Sequence, residues 1–258
     1  MTSREPYSAG DDRRRSRNPR SGGGQARSAQ ESGRRNVGHR ARPSKLRVIA
    51  GELRHRQFVY DGDPSVRPMR DAVRESLFNI LGELVVDAVL WDLFAGTGAV
   101  GIEGLSRGAR RTIFCERNRS VAAVLRENLA NLGIDRRSTV LVADAFQAIP
   151  PKMEAQRIAE PHRPWIIFFC PPYSMFEDQP EPLTELLEKA RKIAPPGSWL
   201  ALECNDHQVP EQFFPGDLAW DARKYGNTRL LITPITHTAP AVQPDNLSEQ
   251  ASPETGPL

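Results

Sequence analysis

The chain has 258 residues, of which 39% are hydrophobic, and this is enough for one sizeable α/β domain with polar ends. Its net charge of +3 is uneven, because residues 1–45 carry 12 basic and 4 acidic side chains and the remainder carries a net −5. Three cysteines without paired spacing argue against a zinc site or a disulfide framework. No apolar run is long enough to span a membrane, and the first residues lack an apolar signal core. We therefore expect a cytoplasmic protein with no metal and no membrane partner.

The two ends of the chain are polar and low in complexity. Residues 1–44 combine Arg, Gly and Ser with almost nothing apolar, and residues 236–258 are rich in Pro, Ser, Glu and Gln. Neither segment can bury enough apolar surface to fold, so both are predicted to be disordered. The basic N-terminal arm either attracts phosphate backbones without sequence preference or serves only as a solubilising tail. The sequence leaves both interpretations open.

Residues 45–82 predict an N-terminal extension that begins with a hairpin. Two short β-like runs, 46–49 and 57–60, flank a plausible turn. The predicted hairpin carries several basic side chains, among them Arg47 and Arg54, and two aromatic residues lie in its second run. Such a hairpin either follows RNA through phosphate contacts and stacking or is an amphipathic cap on the sheet.

A helix is predicted within residues 66–81, where Pro68 marks its start and apolar residues recur at helical spacing. Arg70 and Arg74 lie four residues apart, outside the apolar stripe. On spacing alone, a solvated charged face explains this pair.

The most informative stretch is 89–101, Val-Leu-Trp-Asp-Leu-Phe-Ala-Gly-Thr-Gly-Ala-Val-Gly, which predicts a buried strand, a glycine turn and a helix. Gly96 and Gly98 let a ligand approach the backbone, next to the free N–H groups of the helix. The spacing also fits the dinucleotide fingerprint, but Asp92 would repel a pyrophosphate and suits a ligand with an amino group and a sulfonium. Asp-x-Phe-x-Gly-x-Gly is the pattern of S-adenosylmethionine (SAM) methyltransferases. A purely structural glycine turn is the alternative.

Acidic residues end three successive predicted strands, at Asp92, Glu116 and Asp144. Glu116 is placed to accept hydrogen bonds from ribose hydroxyls, and Asp144 from the adenine amino group. One such acid is usually a turn residue or a helix N-cap, but three are hard to assign to capping alone. The predicted cofactor-binding residues are Asp92, Phe94, Gly96, Thr97, Gly98, Glu116, Asp144 and Ala145.

The second half of the chain continues the alternation of strands and helices. Its apolar run at 165–169 is typical of a central parallel strand and leads into Cys-Pro-Pro-Tyr at 170–173. The other expected elements are a loop over 150–164, a helix over 183–193, a strand over 199–203 and closing strands at 218–220 and 228–232. The pattern predicts a Rossmann-like, mostly parallel seven-stranded sheet in a domain spanning 83–235, with ligands at the carboxyl ends of the strands.

These motifs together resemble the RsmD-type 16S rRNA guanine-N2 methyltransferases over roughly residues 46–233. The glycine and Pro-Pro-aromatic motifs are shared by many methyltransferases, whereas Arg-Pro followed by Val-Arg-Glu-x-Leu-Phe-Asn is more specific. The resemblance is carried by residues 47–51, 67–68, 73–79, 92–98, 103–108, 116, 127–129, 144, 171–173 and 225–226. It implies a SAM-dependent enzyme that acts on 16S rRNA in the assembling small ribosomal subunit, and we expect a monomer.

The resemblance also implies the roles of two groups of residues. An extruded guanine lies beside the Pro-Pro turn, whose carbonyl accepts from the target amine while the following aromatic ring stacks on the base. The residues implied at the chemical step are Cys170, Pro171, Pro172 and Tyr173. The arginines implied on the substrate side are Arg47, Arg54, Arg67, Arg70 and Arg74.

One position departs from the pattern, because related amino-methyltransferases carry Asp or Asn where this chain has Cys170. A thiol is a weak acceptor, so Cys170 is either a slower substitute or the mark of a protein that binds SAM and RNA without efficient turnover. A nucleophilic cysteine, as in cytosine-C5 methyltransferases, is disfavoured because theirs follows a proline. The other hypotheses are an amino-methyltransferase acting on adenine, a non-catalytic RNA-binding assembly protein, and a NAD-dependent oxidoreductase, which Asp92 and the Pro-Pro-Tyr motif oppose.

Overall fold

The computed structural model describes residues 43–64, 66–207 and 218–236. The predicted disordered arm and tail therefore lie almost wholly outside the described residues. The strands are β1 (Ser44–Arg47), β2 (Gln57–Tyr60), β3 (Val89–Asp92), β4 (Arg111–Cys115), β5 (Ser138–Leu141), β6 (Trp165–Phe169), β7 (Trp199–Asn205), β8 (Asp221–Tyr225) and β9 (Thr228–Pro234). The α-helices are α1 (Asp71–Leu81), α2 (Ala99–Ser106), α3 (Arg119–Leu132), α4 (Ala145–Ala159), α5 (Met175–Asp178) and α6 (Pro180–Ile193).

Seven strands form one sheet in the order β5-β4-β3-β6-β7-β9-β8. The first five are parallel, and β9 runs antiparallel to both β7 and β8. The chain fills the sheet outward from β3, with β4 on one side and β6 on the other, so the strand order reverses there. This confirms the predicted Rossmann-like, mostly parallel sheet. Ligands bind such folds in the crevice at the carboxyl ends of the strands, at this switch point.

The two faces of the sheet are both covered, which explains why its central strands have no polar alternation. Along β3, Leu90 faces one hydrophobic cluster, built with α1, α2 and α3, while Val89 and Trp91 face the other, built with α4 and α6. Successive side chains of a strand point to opposite faces. Both clusters meet at β3 and β6, and this double burial fixes the position of Asp92 at the tip of β3.

The N-terminal hairpin, β1 paired antiparallel with β2, packs against the main domain. Asn128 of α3 accepts from the Val59 N–H at 2.9 Å and donates to the Val59 carbonyl at 2.8 Å. Glu103 of α2 accepts from the N–H groups of Ile49 and Ala50 at 2.8 and 3.0 Å. These contacts hold the hairpin against helices α2 and α3, whereas the structural role expected from the sequence was a cap on the sheet.

Several expected boundaries were off by two or three residues, and two expected elements were wrong. The predicted loop 150–164 is mostly helix, because α4 continues through Pro150 and Pro151. Ile149 and Met153 are completely buried on its inner face, and this packing outweighs the two missing backbone donors. The first closing strand is β8, which starts only after the predicted 218–220.

No helix in the described parts of the chain is long and apolar enough to cross a membrane. Within the same residues, no three His, Cys, Asp or Glu side chains come together as potential metal ligands.

Candidate active site

The glycine turn links β3 to α2 in a conformation that other residues adopt poorly. Gly96 has φ +50° and Gly98, the N-cap of α2, has φ +75°. A Cβ at Gly98 would lie 2.3 Å from Leu125 Cδ1, and one at Gly101 would lie 2.2 Å from Phe114 Cε1. Gly98 therefore meets both a dihedral and a packing requirement, while Gly101 lets α2 lie close to β4.

A cavity of about 520 Å³ opens at the carboxyl ends of the parallel strands, a size typical of small-molecule sites. It brings together all four residues predicted for the chemical step and all the predicted cofactor residues except Gly98. Its lining includes Asp92, Phe94, Gly96, Thr97, Glu116, Asp144, Ala145, Cys170, Pro171, Pro172 and Tyr173, with Arg67 and Arg70 from the N-terminal extension.

Asp92 is the most perturbed acid of the cavity. The side chain is almost completely buried, and burial raises the pKa of its carboxyl to about 7, although a hydrogen bond from the Gly101 N–H opposes the rise. Asp92 Oδ2 is buried and has no hydrogen-bond partner among the described residues. An unpaired buried oxygen is costly, and a bound ammonium or sulfonium would satisfy it. The residues present thus fit SAM.

Glu116, directly after β4, ties the glycine turn to the start of α3. One carboxylate oxygen accepts from the Gly96 N–H at 2.9 Å, and the other accepts from the Asn118 N–H at 2.7 Å. A carboxylate has about four acceptor positions, so two remain for the hydroxyl groups of a ribose. Glu116 therefore has the predicted capacity to bind the sugar, together with a structural role that the sequence did not reveal.

Asp144 is the N-cap of α4, where its side chain accepts from the Phe146 N–H at 2.9 Å. The carboxylate is exposed at the edge of the cavity. Capping thus explains its position, and its expected contact with the adenine amino group stays a prediction.

We expect Glu116→Ala to weaken SAM binding by about 1–3 kcal/mol, because the ribose hydroxyls and the Gly96 N–H lose their acceptor together. Glu116→Gln should lose less, because one acceptor oxygen remains. Isothermal titration calorimetry measures both variants, and the matched control is Glu154→Ala, which removes an exposed acid outside the cavity lining. Equal affinities for the parent protein and Glu116→Ala would contradict the assignment of Glu116.

Cys170 and Tyr173 also line the cavity, together with Glu203 of β7. Burial raises the pKa of the Cys170 thiol well above its ordinary value, and the nearby Glu203 and Asp92 carboxylates raise it further. Cys170 is therefore a neutral thiol near pH 7, which opposes covalent catalysis, since the thiolate is the nucleophilic form. The Tyr173 hydroxyl donates to Glu203 Oε1 at 3.3 Å, and the Arg67 guanidinium lies 5.8 Å from the Tyr173 ring centroid.

The five predicted substrate arginines occupy different environments. Arg67 and Arg70 are exposed and line the cavity, and Arg70 donates to the Tyr225 carbonyl and to Thr228 Oγ1. Arg47 and Arg54 are exposed on the hairpin, outside the cavity lining.

Arg74 corrects the sequence interpretation, because its side chain is completely buried instead of solvated. It donates to the carbonyls of Arg47 and Met69 at 2.8 and 3.2 Å and to Asp71 at 3.0 Å. Its Nε lies 3.7 Å from the buried carboxylate of Glu103. Arg74 thus joins the hairpin to α1 and α2, and in this arrangement it presents no surface to RNA.

Sequence reasoning missed Glu203 and Thr228, which both line the cavity. Glu203 had a usable signal in the sequence, because it ends the apolar run 199–202 as other acids end theirs. Thr228 had none, since its place depends on how β9 folds back against β7, where Asn205 pairs with it.

The comparisons with known proteins agree with this geometry. The family model described as conserved hypothetical protein 95 matches residues 46–233. The ribosomal RNA small subunit methyltransferase D of Escherichia coli K12 is 35% identical over 159 residues, which are 62% of this chain and 71% of that protein. The putative rRNA methyltransferase YlbH of Bacillus subtilis is 30% identical, over 72% of this chain and 97% of that one. The chain belongs to the RsmD family.

Solved structures share the fold of this RsmD-family chain. The putative methyltransferase yhhF of Escherichia coli is 26% identical, with a TM-score of 0.57, covering 74% of this chain and 98% of that one. A Thermus thermophilus 16S rRNA N2 G1207 methyltransferase, solved with AdoMet and guanosine, shares the fold at 19% identity with a TM-score of 0.56, over 76% of this chain and 50% of that one. These neighbours show the fold of the chain, and its relatives in the RsmD family are named methyltransferases.

Proposed function

We propose that this protein methylates the exocyclic N2 amine of a guanine in 16S rRNA as the small ribosomal subunit assembles. The observation that carries the proposal is one cavity lined both by Asp92 and Glu116 and by the Pro-Pro-Tyr turn. Family membership supports it, because the Escherichia coli relative is named a small-subunit ribosomal RNA methyltransferase. The exposed Arg67 and Arg70 at the cavity add positive charge for a phosphate backbone.

SAM, when bound, supplies a methyl group made electrophilic by its sulfonium. The task of the protein is to align the target nitrogen and to turn its lone pair out of conjugation with the ring. The Pro172 carbonyl accepts from the Met175 N–H at 2.9 Å, whereas the Pro171 carbonyl accepts no hydrogen bond from the described residues. The Pro171 carbonyl is therefore available to the amine, and Pro172 has no N–H to compete for it.

The Tyr173 side chain, next to the Pro-Pro turn, would hold the base. The ring of Tyr173 offers a surface on which an extruded base stacks. No strong base is needed before the transfer, because the amine proton becomes acidic only when the nitrogen has become cationic.

We expect Cys170→Asn to raise the single-turnover rate several-fold with little change in the KM for RNA. The amide oxygen is a stronger acceptor than a thiol, and one hydrogen bond gained mainly in the transition state contributes about 1 kcal/mol. Cys170→Asp should gain less, because it adds a second carboxylate next to Glu203 and Asp92, and like charges in one site disfavour ionisation. Rapid-quench measurement of methyl transfer distinguishes the variants.

Cys170→Ala serves as the control for covalent chemistry. We expect it to stay active, since a neutral thiol makes no bond to the base. An inactive Cys170→Ala, together with a trapped adduct between RNA and the parent protein, would contradict this mechanism.

The proposed function is tested by mapping methylated nucleosides of 16S rRNA by mass spectrometry, with and without the gene. Purified protein with SAM should then restore one missing N2-methylguanosine in rRNA from the deletion strain. N6-methyladenosine in its place would establish the adenine enzyme. An unchanged set of methylations, with no transfer in vitro, would leave the second candidate, a SAM- and RNA-binding assembly protein, which the weak acceptor at Cys170 favours.

A further inference from the structure

Glu203 presents a carboxylate with few partners beside Cys170 and Tyr173, in the cavity where the base would lie. Its side chain is half-buried at the carboxyl end of β7. One oxygen receives the Tyr173 hydroxyl at 3.3 Å, which is beyond the usual length of an O–H···O bond. The other oxygen makes no hydrogen bond to the described residues. The carboxylate therefore keeps most of its acceptor capacity free.

The surroundings of Glu203 favour a ligand that donates hydrogen bonds. Desolvation raises the pKa of Glu203, while Tyr173, Arg67 and Arg70 act in the opposite direction. The two arginines supply charge but make no hydrogen bond to the carboxylate, so the Tyr173 hydroxyl is its one hydrogen-bond donor among the described residues. A desolvated acceptor with one long hydrogen bond is costly, and a ligand with two neighbouring N–H donors would lower that cost.

The Watson–Crick edges of the bases differ in what they offer a carboxylate. Guanine presents its N1–H and its N2 amine side by side, so two parallel hydrogen bonds reach the two oxygens. Adenine presents an amine next to the lone pair of N1, and cytosine an amine next to the lone pair of N3. Either lone pair would face a carboxylate oxygen and repel it.

We propose that Glu203 selects guanine, by accepting hydrogen bonds from both N1–H and the N2 amine, and that it provides the strong acceptor that Cys170 does not. This inference rests on the proposed function, because it assumes that the target is a guanine amine. The thiol of Cys170 lies next to the backbone N–H of Glu203, so residues 170 and 203 border the same part of the cavity. A neutral side chain at position 170 leaves the Glu203 carboxylate without a like charge in direct contact.

The test compares Glu203→Gln with the parent protein on 16S rRNA from the deletion strain, under single turnover. A glutamine amide opposes N1–H of guanine with its own N–H donors but matches the donor–acceptor edge of adenine. We expect N2-methylguanosine formation to fall by roughly ten- to a hundredfold. The ratio of N6-methyladenosine to N2-methylguanosine should rise, while the calorimetric Kd for SAM stays unchanged.

Two further variants separate base selection from a structural role. Tyr173→Phe removes the hydroxyl that contacts Glu203 but keeps the ring. If Tyr173→Phe and Glu203→Gln lost the same factor in rate, with no change in the nucleoside ratio, Glu203 would only position Tyr173. Glu203→Asp keeps the charge and should keep guanine selectivity at a lower rate, which provides the test if Glu203→Gln does not fold. If the parent protein forms N2-methylguanosine and Glu203→Gln does so equally fast, the inference is wrong and the proposed function stands. If the parent protein methylates another base, the proposed function itself fails.

Discussion

Asp92→Asn should weaken SAM binding by about 2 kcal/mol, or roughly thirtyfold in Kd, and should at the same time stabilise the protein without ligand. The loss follows from the unpaired Oδ2 of Asp92, which lines the cavity where we expect the cationic SAM to bind. The gain follows from linkage. The carboxyl has a pKa of about 7 in the folded protein and 3.8 as its reference value, so between these values the folded protein holds a proton that the unfolded chain releases.

The sign of the pH dependence is therefore fixed. The free energy of unfolding should decrease as the pH rises from about 4 to about 7, and above this window the parent protein carries the full penalty of an ionised buried acid. Asp92→Asn removes the penalty, so at pH 8 it should be more stable by on the order of 1–3 kcal/mol. Urea unfolding at several pH values measures this difference.

The same ionisation governs the cofactor. Because a cationic ligand favours the carboxylate, the affinity of the parent protein for SAM should fall as the pH drops below about 7, by up to tenfold per unit. Asp92→Asn should show no such dependence between about pH 5 and 7. Parallel pH profiles for the two proteins would show that Asp92 does not titrate on binding.

Sequence patterns predicted secondary structure best where the burial of a segment is compatible with a single type of element. The run 165–169 coincides with β6 because five consecutive apolar residues between polar segments fit only a doubly covered strand. Helix α4 was missed because local propensity points to a break at Pro150, whereas Ile149 and Met153 hold the helix to the sheet. Local signals carry no information about such tertiary packing.

The sequence predicted the acidic residues of the site correctly but not the environment of its arginines. The acids Asp92, Glu116 and Asp144 converge because they end parallel neighbours in one sheet. The spacing of Arg70 and Arg74 wrongly predicted a shared, solvated helical face, for two reasons. Arg70 is the N-cap of α1 with extended dihedrals, so it does not share a helical face with Arg74. The face that carries Arg74 is covered by the hairpin, a contact that no periodicity within the helix reveals.

Arg74→Met is expected to lower the free energy of unfolding by about 3 kcal/mol, the cost typical of removing one partner from a buried ion pair. The replacement keeps an apolar chain of similar length but deletes three hydrogen bonds to residues 47, 69 and 71. Glu103 would keep Arg107, whose Nε donates to it at 2.8 Å, together with the two backbone N–H groups of the hairpin, so the protein should still fold.

The matched control is Arg67→Met, at an exposed arginine of the cavity. It should change stability little and raise the KM for RNA, whereas Arg74→Met, assayed below its melting temperature, should keep the KM of the parent protein. The separation follows from burial: a side chain with no exposed surface can affect RNA binding only through the fold. A raised KM in Arg74→Met with an unchanged unfolding curve would return this arginine to the RNA-binding surface and would require the hairpin to move away from α1 when RNA binds.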